Sequence, residues 1–390
     1  MTAATFACAV STARSGHEAL GEALAELERR LGGQTPDLVI AFATHHYGEK
    51  LETFGPEIAR SLGPQAIAGC TAEGVLGDGR EVEGQPGLVL WAAHLPGTRV
   101  ESFQAQAKPH GGTCRYSGCP DLADGHGKSL LTLVDGYSFP IVDFLGDLGR
   151  HVPGLAVQGG LASGAFGPGQ TLFFTPDGVE VEGMQGVLFE GPHTPLAVVS
   201  QGVRPVGKPY VITECERNEI KRLSGRPALE VFMEAVTSMN AADQRLFHQG
   251  QFIGLAVDPK KSTFQRGDLL ARAVMGVNHQ ARSFSVSDFV RRGQTLQLSV
   301  RDPGTAGSDL TKLIVQAQAE RAAKSALIFT CAGRGRRMFS DPDHDVRHVL
   351  DGCGEPIPTA GFFAGSEIGP VGGQNLLHSF TASVALFPGA

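Results

Sequence analysis

One order of elements is written into the chain three times, and any fold must accommodate that repetition. The first copy has an apolar strand at 38–43, a helical stretch at 54–62, then Ala68-Gly69-Cys70-Thr71-Ala72-Glu73-Gly74, a glycine turn at Gly77 and Gly79, and the apolar run 87–91. The last copy has a strand at 326–330, a helix at 343–350, then Ala360-Gly361-Phe362-Phe363-Ala364-Gly365-Ser366-Glu367, glycines at Gly369 and Gly372, and the run 380–387. A fainter copy runs through a strand at 130–134, a helix at 140–151, Val157-Gln158-Gly159-Gly160-Leu161-Ala162-Ser163-Gly164, glycines at Gly167 and Gly169, and 186–189. Within its helix Ile141, Phe144, Leu145 and Leu148 recur at helical spacing. The strands are continuous apolar runs, the pattern expected when both faces are covered. The expected fold is α+β or α/β, with pseudo-repeated strand-helix-strand units forming layered sheets flanked by helices.

A different section separates the second and third copies. Residues 213–222 mix charge with Ile220 and read as a turn or strand edge, and Pro227 sits near the first turn of a helix opening at 226–233. Strands are expected at 252–257, 269–277 and 296–300, and a long amphipathic helix at 309–324. A boundary near 204–225 divides the chain into an N-terminal strand and helix at 1–35, one domain at 36–215 and another at 216–390.

Composition narrows the function classes. The 52 glycines cluster between apolar runs, so they mark tight turns and not disorder. A net charge of -7 lacks the basic footprint that nucleic acid or an anionic membrane surface requires. Seven cysteines (Cys8, Cys70, Cys114, Cys119, Cys215, Cys331 and Cys353) form no disulfide framework and read as reduced intracellular thiols. The N-terminus reads as a first strand and not a signal peptide, and no apolar run approaches the ~20 residues of a bilayer span. A soluble, cytoplasmic protein is expected.

The sharpest chemical feature is Cys331-Ala332-Gly333-Arg334-Gly335-Arg336-Arg337 at the end of an apolar strand. Alternating Gly333 and Gly335 allow backbone N–H groups to form an anion nest, and Arg334 offers a fork for a carboxylate or phosphate. Arg336 and Arg337 read as a solvated basic turn. Glu73 and Glu367 hold similar places in the first and last copies, where a carboxylate beside Ser366 could receive a ligand ammonium or pair with Arg334. The alternative for both is a turn carboxylate that satisfies backbone donors. Cys70 and Cys331 lie in comparable glycine-rich surroundings, and a thiol near arginine can be reactive, with His378 a conceivable partner. Against that, free cysteine is among the most buried residue types.

Other chemistries are less well supported. His110, Cys114, Cys119 and His126 lack a tight Cys-x-x-Cys pair and read as a connector, so no metal is expected. Haem could be held through His45 or His46, although no attachment motif is present. Dinucleotide, Walker, His-Glu-x-x-His and Gly-x-Ser-x-Gly patterns are absent.

The ordered set of motifs resembles the FIST family, which has an N-terminal and a C-terminal FIST domain. The N-terminal half contributes Asp37-Leu38-Val39-Ile40-Ala41-Phe42 and the segment 68–74. The C-terminal half contributes Gly225-Arg226-Pro227-Ala228-Leu229-Glu230-Val231, the segments 329–335 and 365–370, and His378-Ser379-Phe380-Thr381. The resemblance covers nearly the whole chain after the first strand. It implies a sensory role in binding small molecules such as amino acids. Family members occur in bacterial signalling proteins and eukaryotic F-box proteins, and some bacterial members look like haem-based nitric oxide sensors. This chain carries no fused kinase, methyl-accepting or F-box segment, so a stand-alone version with a separate signalling partner is expected. The ligand site expected is a hollow lined by 331–335 and 366–367, with Arg334 taking a carboxylate and Glu367 the far end. The alternatives are a haem-based gas sensor or an enzyme that uses Cys331 or a carboxylate.

Overall fold

A computed structural model describes residues 3–389 apart from Ala123, Pro259 and Arg266. The chain forms two compact units. The first comprises residues up to Val199, Gly307–Leu377, and the stretch from Thr381 on; the second is Ser200–Ala306 with His378–Phe380. No helix among the described residues is long and apolar enough to cross a membrane.

In the first unit the three copies become three units of the same topology. Leu38–Thr44 runs parallel to Ala66–Ala72, joined by the helix Phe54–Leu62. Lys128–Val134 runs parallel to Ala156–Leu161 through the helix Ile141–His151. Ala323–Cys331 runs parallel to Thr359–Ala364 through the helix His344–Cys353. On its other edge, each leading strand takes an antiparallel partner: Leu88–His94, Met184–Glu190 and Thr381–Pro388 respectively.

What repetition alone does not reveal is where the glycine-turn hairpins go. After each second parallel strand the chain leaves its own sheet and pairs with another. The hairpin Gly74–Gly77 and Arg80–Glu83 of the first copy adds to Thr359–Ala364 of the third. The hairpin beginning at Glu367–Val371 of the third adds to Ala156–Leu161 of the second. The hairpin Phe173–Thr175 and Gly178–Glu180 of the second adds to Ala66–Ala72 of the first. The exchange is cyclic and closes on itself.

One apolar core lies among the three sheets, which explains the continuous apolar runs. Phe42, Trp91, Leu131, Phe189, Phe329, Phe362 and Phe387 bury together. The ring of Phe42 lies 5.0 Å from that of Phe362, and Phe387 lies 5.0 Å from Trp91 and 5.4 Å from Phe189. The single tryptophan, Trp91, donates its indole N–H to Ser325 Oγ at 2.7 Å, so it is fully satisfied in the core. Helices cover the outer faces; Gly16–Leu31 buries Ala19, Leu20, Ala23, Leu24 and Leu27, the apolar stripe of an amphipathic helix.

The second unit is built on an eight-stranded sheet, with the helices Ala228–Thr237 and Ala241–Gln249 in its core. Pro227 stands at the N-cap of the first of these, and Asn240 caps the second by accepting from the Ala242 and Asp243 amides.

The repeated glycines have a steric cause. Gly69, Gly159 and Gly361 sit at matching registers opposite Ala41, Thr132 and Ile328. A Cβ there would come within 2.0, 1.9 and 1.8 Å of those residues' carbonyl oxygens. Gly361→Ala should therefore cost about 3 kcal/mol or more, since the obstacle is neighbouring backbone and cannot turn aside. Gly167→Ala, with no atom nearer than 3.9 Å, should stay within ~0.5 kcal/mol. Urea unfolding followed by Trp91 fluorescence measures both.

Candidate functional site

The three crossovers from sheet to sheet meet at one hydroxyl. Ser163 Oγ accepts from the Glu73 amide at 2.8 Å and donates to the Phe363 carbonyl, so it ties all three copies together. Leu161 N–H donates to Ser366 O at 2.8 Å, and Ala332 N–H donates to Ala364 O at 2.8 Å. These residues stand at the carboxyl ends of the parallel strands, where open α/β sheets place their ligand sites.

A cleft of two lobes opens beside this junction. The narrower lobe, about 250 Å³, is lined by Glu73, Glu83, Ala332, Arg336, Arg337 and Phe363 among others. The wider lobe, about 400 Å³, is lined by His45, His46, Gly164 and Phe166. Glu73, Gly84 and Arg337 border both lobes. The Arg337 guanidinium forms an ion pair with Glu73 across this shared border and also donates to Ala332 O at 2.8 Å. The pair is open to water, with side chains 58% and 41% exposed. The Glu73 hydrogen bond, foremost, raises the Arg337 pKa.

The short 3-10 turn Gly335–Arg337 presents the two arginines. It is fastened to the exchanged hairpin, because the Arg336 amide donates to Glu83 Oε1 at 3.1 Å. Gly335 has φ +53, and a Cβ there would meet the Glu83 carboxylate at 2.7 Å, so this close approach requires glycine. Burial, chiefly, pushes the Glu83 carboxyl above its ordinary value. Two residues earlier, Glu81 Oε1 accepts from the Asp345 and Val346 amides at 2.8 and 3.1 Å, so it caps the helix His344–Cys353. Burial, then the Asp345 charge, raises the Glu81 carboxyl to about 8.

Arg334 does not reach the cleft. Its side chain is completely buried, and its Nε and Nη2 donate to the two oxygens of Asp345 at 2.7 and 2.6 Å. Phe339 lies under the guanidinium at 5.2 Å, while Thr330 and His344 also hydrogen-bond to Asp345. Burial alone would raise the Asp345 carboxyl, but the adjacent guanidinium outweighs it and holds it well below the carboxylate range. The expected anion nest is likewise turned inward. Gly333 N–H donates to Cys331 Sγ at 3.4 Å, Arg334 N–H to Cys331 O at 2.8 Å, and Arg337 N–H to Arg334 O at 3.2 Å.

The other residues singled out from sequence divide in the same way. Glu73 lines the cleft. Glu367 is fully buried opposite Gly160, and its Oε2 accepts from the Thr381 amide at 3.0 Å. Burial, chiefly, pushes its carboxyl well above the ordinary value. Ser366 is half-buried and serves the junction through its carbonyl. Cys331 and Cys70 are buried, and burial drives the Cys70 thiol well above its ordinary value. His378 is buried and belongs to the second compact unit. Cys331, Arg334 and Glu367 do come together, but as packed interior and not as a hollow. Glu83, Phe166 and Phe363 were missed, although a lone phenylalanine in Ser163-Gly164-Ala165-Phe166-Gly167-Pro168-Gly169, where no apolar periodicity calls for one, was a readable signal.

Two ion pairs of opposite character follow from this arrangement. Arg334→Met leaves Asp345 buried and uncompensated and should cost ~3–5 kcal/mol. Arg337→Met breaks a solvated pair and should cost less than ~1 kcal/mol. Equilibrium unfolding of the two variants checks the contrast.

Sequence comparison agrees with this architecture at family level. The family model described as FIST N domain matches residues 37–226, and the one described as FIST C domain matches residues 228–370. A Mycobacterium tuberculosis protein named only as uncharacterized is 37% identical over 380 residues, covering 97% of this chain and 98% of its own length. An uncharacterized protein of Mycobacterium bovis is 35% identical over 382 residues, covering 97% of each chain.

Proposed function

The chain belongs to the FIST family, and from that premise we propose that it is a sensory protein binding a small zwitterion, such as an amino acid, in the cleft bordered by Arg337 and Glu73. The observation that carries this reading is the solvent-open Arg337–Glu73 pair at the junction of the three repeats. Exposed pairs of this kind contribute ~0–1 kcal/mol, so a ligand can part them at little cost. The ligand carboxylate then takes the planar fork of Arg337, with Arg336 alongside, and the ligand ammonium takes Glu73 and Glu83. Each charge released from the internal pair is matched by one on the ligand, so no charge is left uncompensated.

This assignment keeps the arginine-plus-glutamate logic of the sequence and moves it two or three residues along, from Arg334 to Arg336 and Arg337. The wider lobe favours a small polar ligand over haem. A porphyrin needs apolar walls over both faces, whereas His45 and His46 stack on each other at 4.7 Å and Phe166 is the one large apolar side chain in that lining among the described residues. An enzyme built on Cys331 is disfavoured by the burial of its thiol. The free thiols fit a reducing, cytoplasmic setting, and the response would pass to a separate signalling partner.

Calorimetry of the full chain against the common L-amino acids tests the reading. At least one should bind, and Arg337→Gln and Glu73→Gln should each weaken it tenfold or more. Unchanged affinity in both variants would remove the cleft from the account.

A further inference from the structure

We propose that the wider lobe selects ligands carrying a planar ring, and that Phe166 determines this specificity; the proposal rests on the zwitterion reading and names its ligand class. Phe166 is 85% exposed, the most exposed of the large hydrophobic side chains among the described residues. Its backbone is held in place. The Phe166 amide donates to Gln170 Oε1 at 2.9 Å, and Tyr137 Oη donates to the neighbouring Ala165 carbonyl at 3.3 Å. Gly164, at φ +84, brings this loop against the backbone of Ala72 and Glu73, where a Cβ would already lie 3.1 Å away. The ring is therefore presented at the rim by a tethered loop that is anchored at the junction.

The rest of the lobe has matching chemistry. His45 and His46 stack at 4.7 Å with 17° between their planes and line the same space as Phe166 and Arg337. His46 is held below the ordinary imidazole value, by burial first and then by His45. Among the described residues, no leucine, isoleucine, valine or methionine lines the lobe. An aliphatic ligand side chain would find ring faces and charges there, with no branched apolar wall to pack against. A planar ring finds a phenyl and two imidazoles to stack on and a guanidinium to lie beneath, contacts that favour aromatic groups beyond their buried area. The two lobes then divide the work: Arg336, Arg337, Glu73 and Glu83 hold the head group, and Phe166 with the histidines reads the side chain. The ligand class is an amino acid, or a close analogue, with an aromatic or heteroaromatic side chain.

Calorimetry with L-phenylalanine, L-cyclohexylalanine and L-alanine tests this on the full chain. Cyclohexylalanine has the bulk of phenylalanine without its flat π face. L-Phenylalanine should bind at least tenfold tighter than L-alanine and about fivefold tighter than the saturated analogue. Phe166→Ala should bring the phenylalanine-to-alanine ratio within threefold, with Trp91 fluorescence reporting that the core is intact. Equal binding of phenylalanine and cyclohexylalanine overturns the proposal, as does a preference that survives Phe166→Ala. Arg337-dependent binding of all three without a ring preference sinks the ring reading and leaves the zwitterion site standing. Absence of phenylalanine binding overturns the ring proposal, while the zwitterion reading falls only if none of the common L-amino acids binds.

Discussion

Each sheet of the first unit is completed by a hairpin from another repeat, and the remaining structure depends on that cyclic exchange. A strand-helix-strand unit that kept its own hairpin would have no need of its neighbours. Here the edge of every second parallel strand is covered by chain from another copy, so each sheet needs two copies and the full set of three sheets needs all three. The exchange also encloses the aromatic core around Trp91 and Phe362, because the inner faces have nowhere else to turn. Exposed sheet edges and apolar faces are satisfied by the same event.

The exchange also creates the site. Three strand ends are forced to release their chains at one junction, and small residues let those chains pass at close quarters. Ser163 is placed to satisfy a donor from one copy and an acceptor from another. The exchanged hairpin carries Glu81 to a helix N-terminus and Glu83 to the cleft on a single strand, so the helix cap and the arginine-bearing turn share one support. The proposed sensory role would have a physical route here, because the strand that carries Glu83 to the cleft also holds a helix of the third copy.

Much of the fold was legible because repetition, continuous apolar runs and glycine placement all follow from local physics. The strand-helix-strand order of all three copies, the N-terminal strand and the helices Ala228–Thr237 and Pro303–Glu320 could be read that way, whereas Ala241–Gln249 was not. Which sheet each hairpin joins could not, since pairing partners a hundred residues or more apart leave no local pattern. The site was half legible. The segment 331–337 and Glu73 were singled out and Arg336 and Arg337 face water as expected, yet Arg334, the residue expected to meet a ligand, is buried. Arg334 turns inward because Asp345, eleven residues on, offers a bidentate partner in the interior, and only the folded helix brings it there. Arg336 and Arg337 then face water by default. Glu367 resembles Glu73 in the repeat, but it falls in register opposite Gly160 and is buried, while Glu73 ends at the open side of the junction. Equivalent repeat positions thus acquired opposite environments.

The central claim is that three stretches distant in sequence, 73–84, 163–166 and 332–337, form one ligand-responsive surface at the junction of the repeats. Hydrogen exchange measured by mass spectrometry, with and without saturating L-phenylalanine, tests it most directly. The account predicts slowed exchange in all three stretches together, along with the start of the helix His344–Cys353. Protection confined to one stretch, or appearing only elsewhere in the chain, would contradict it.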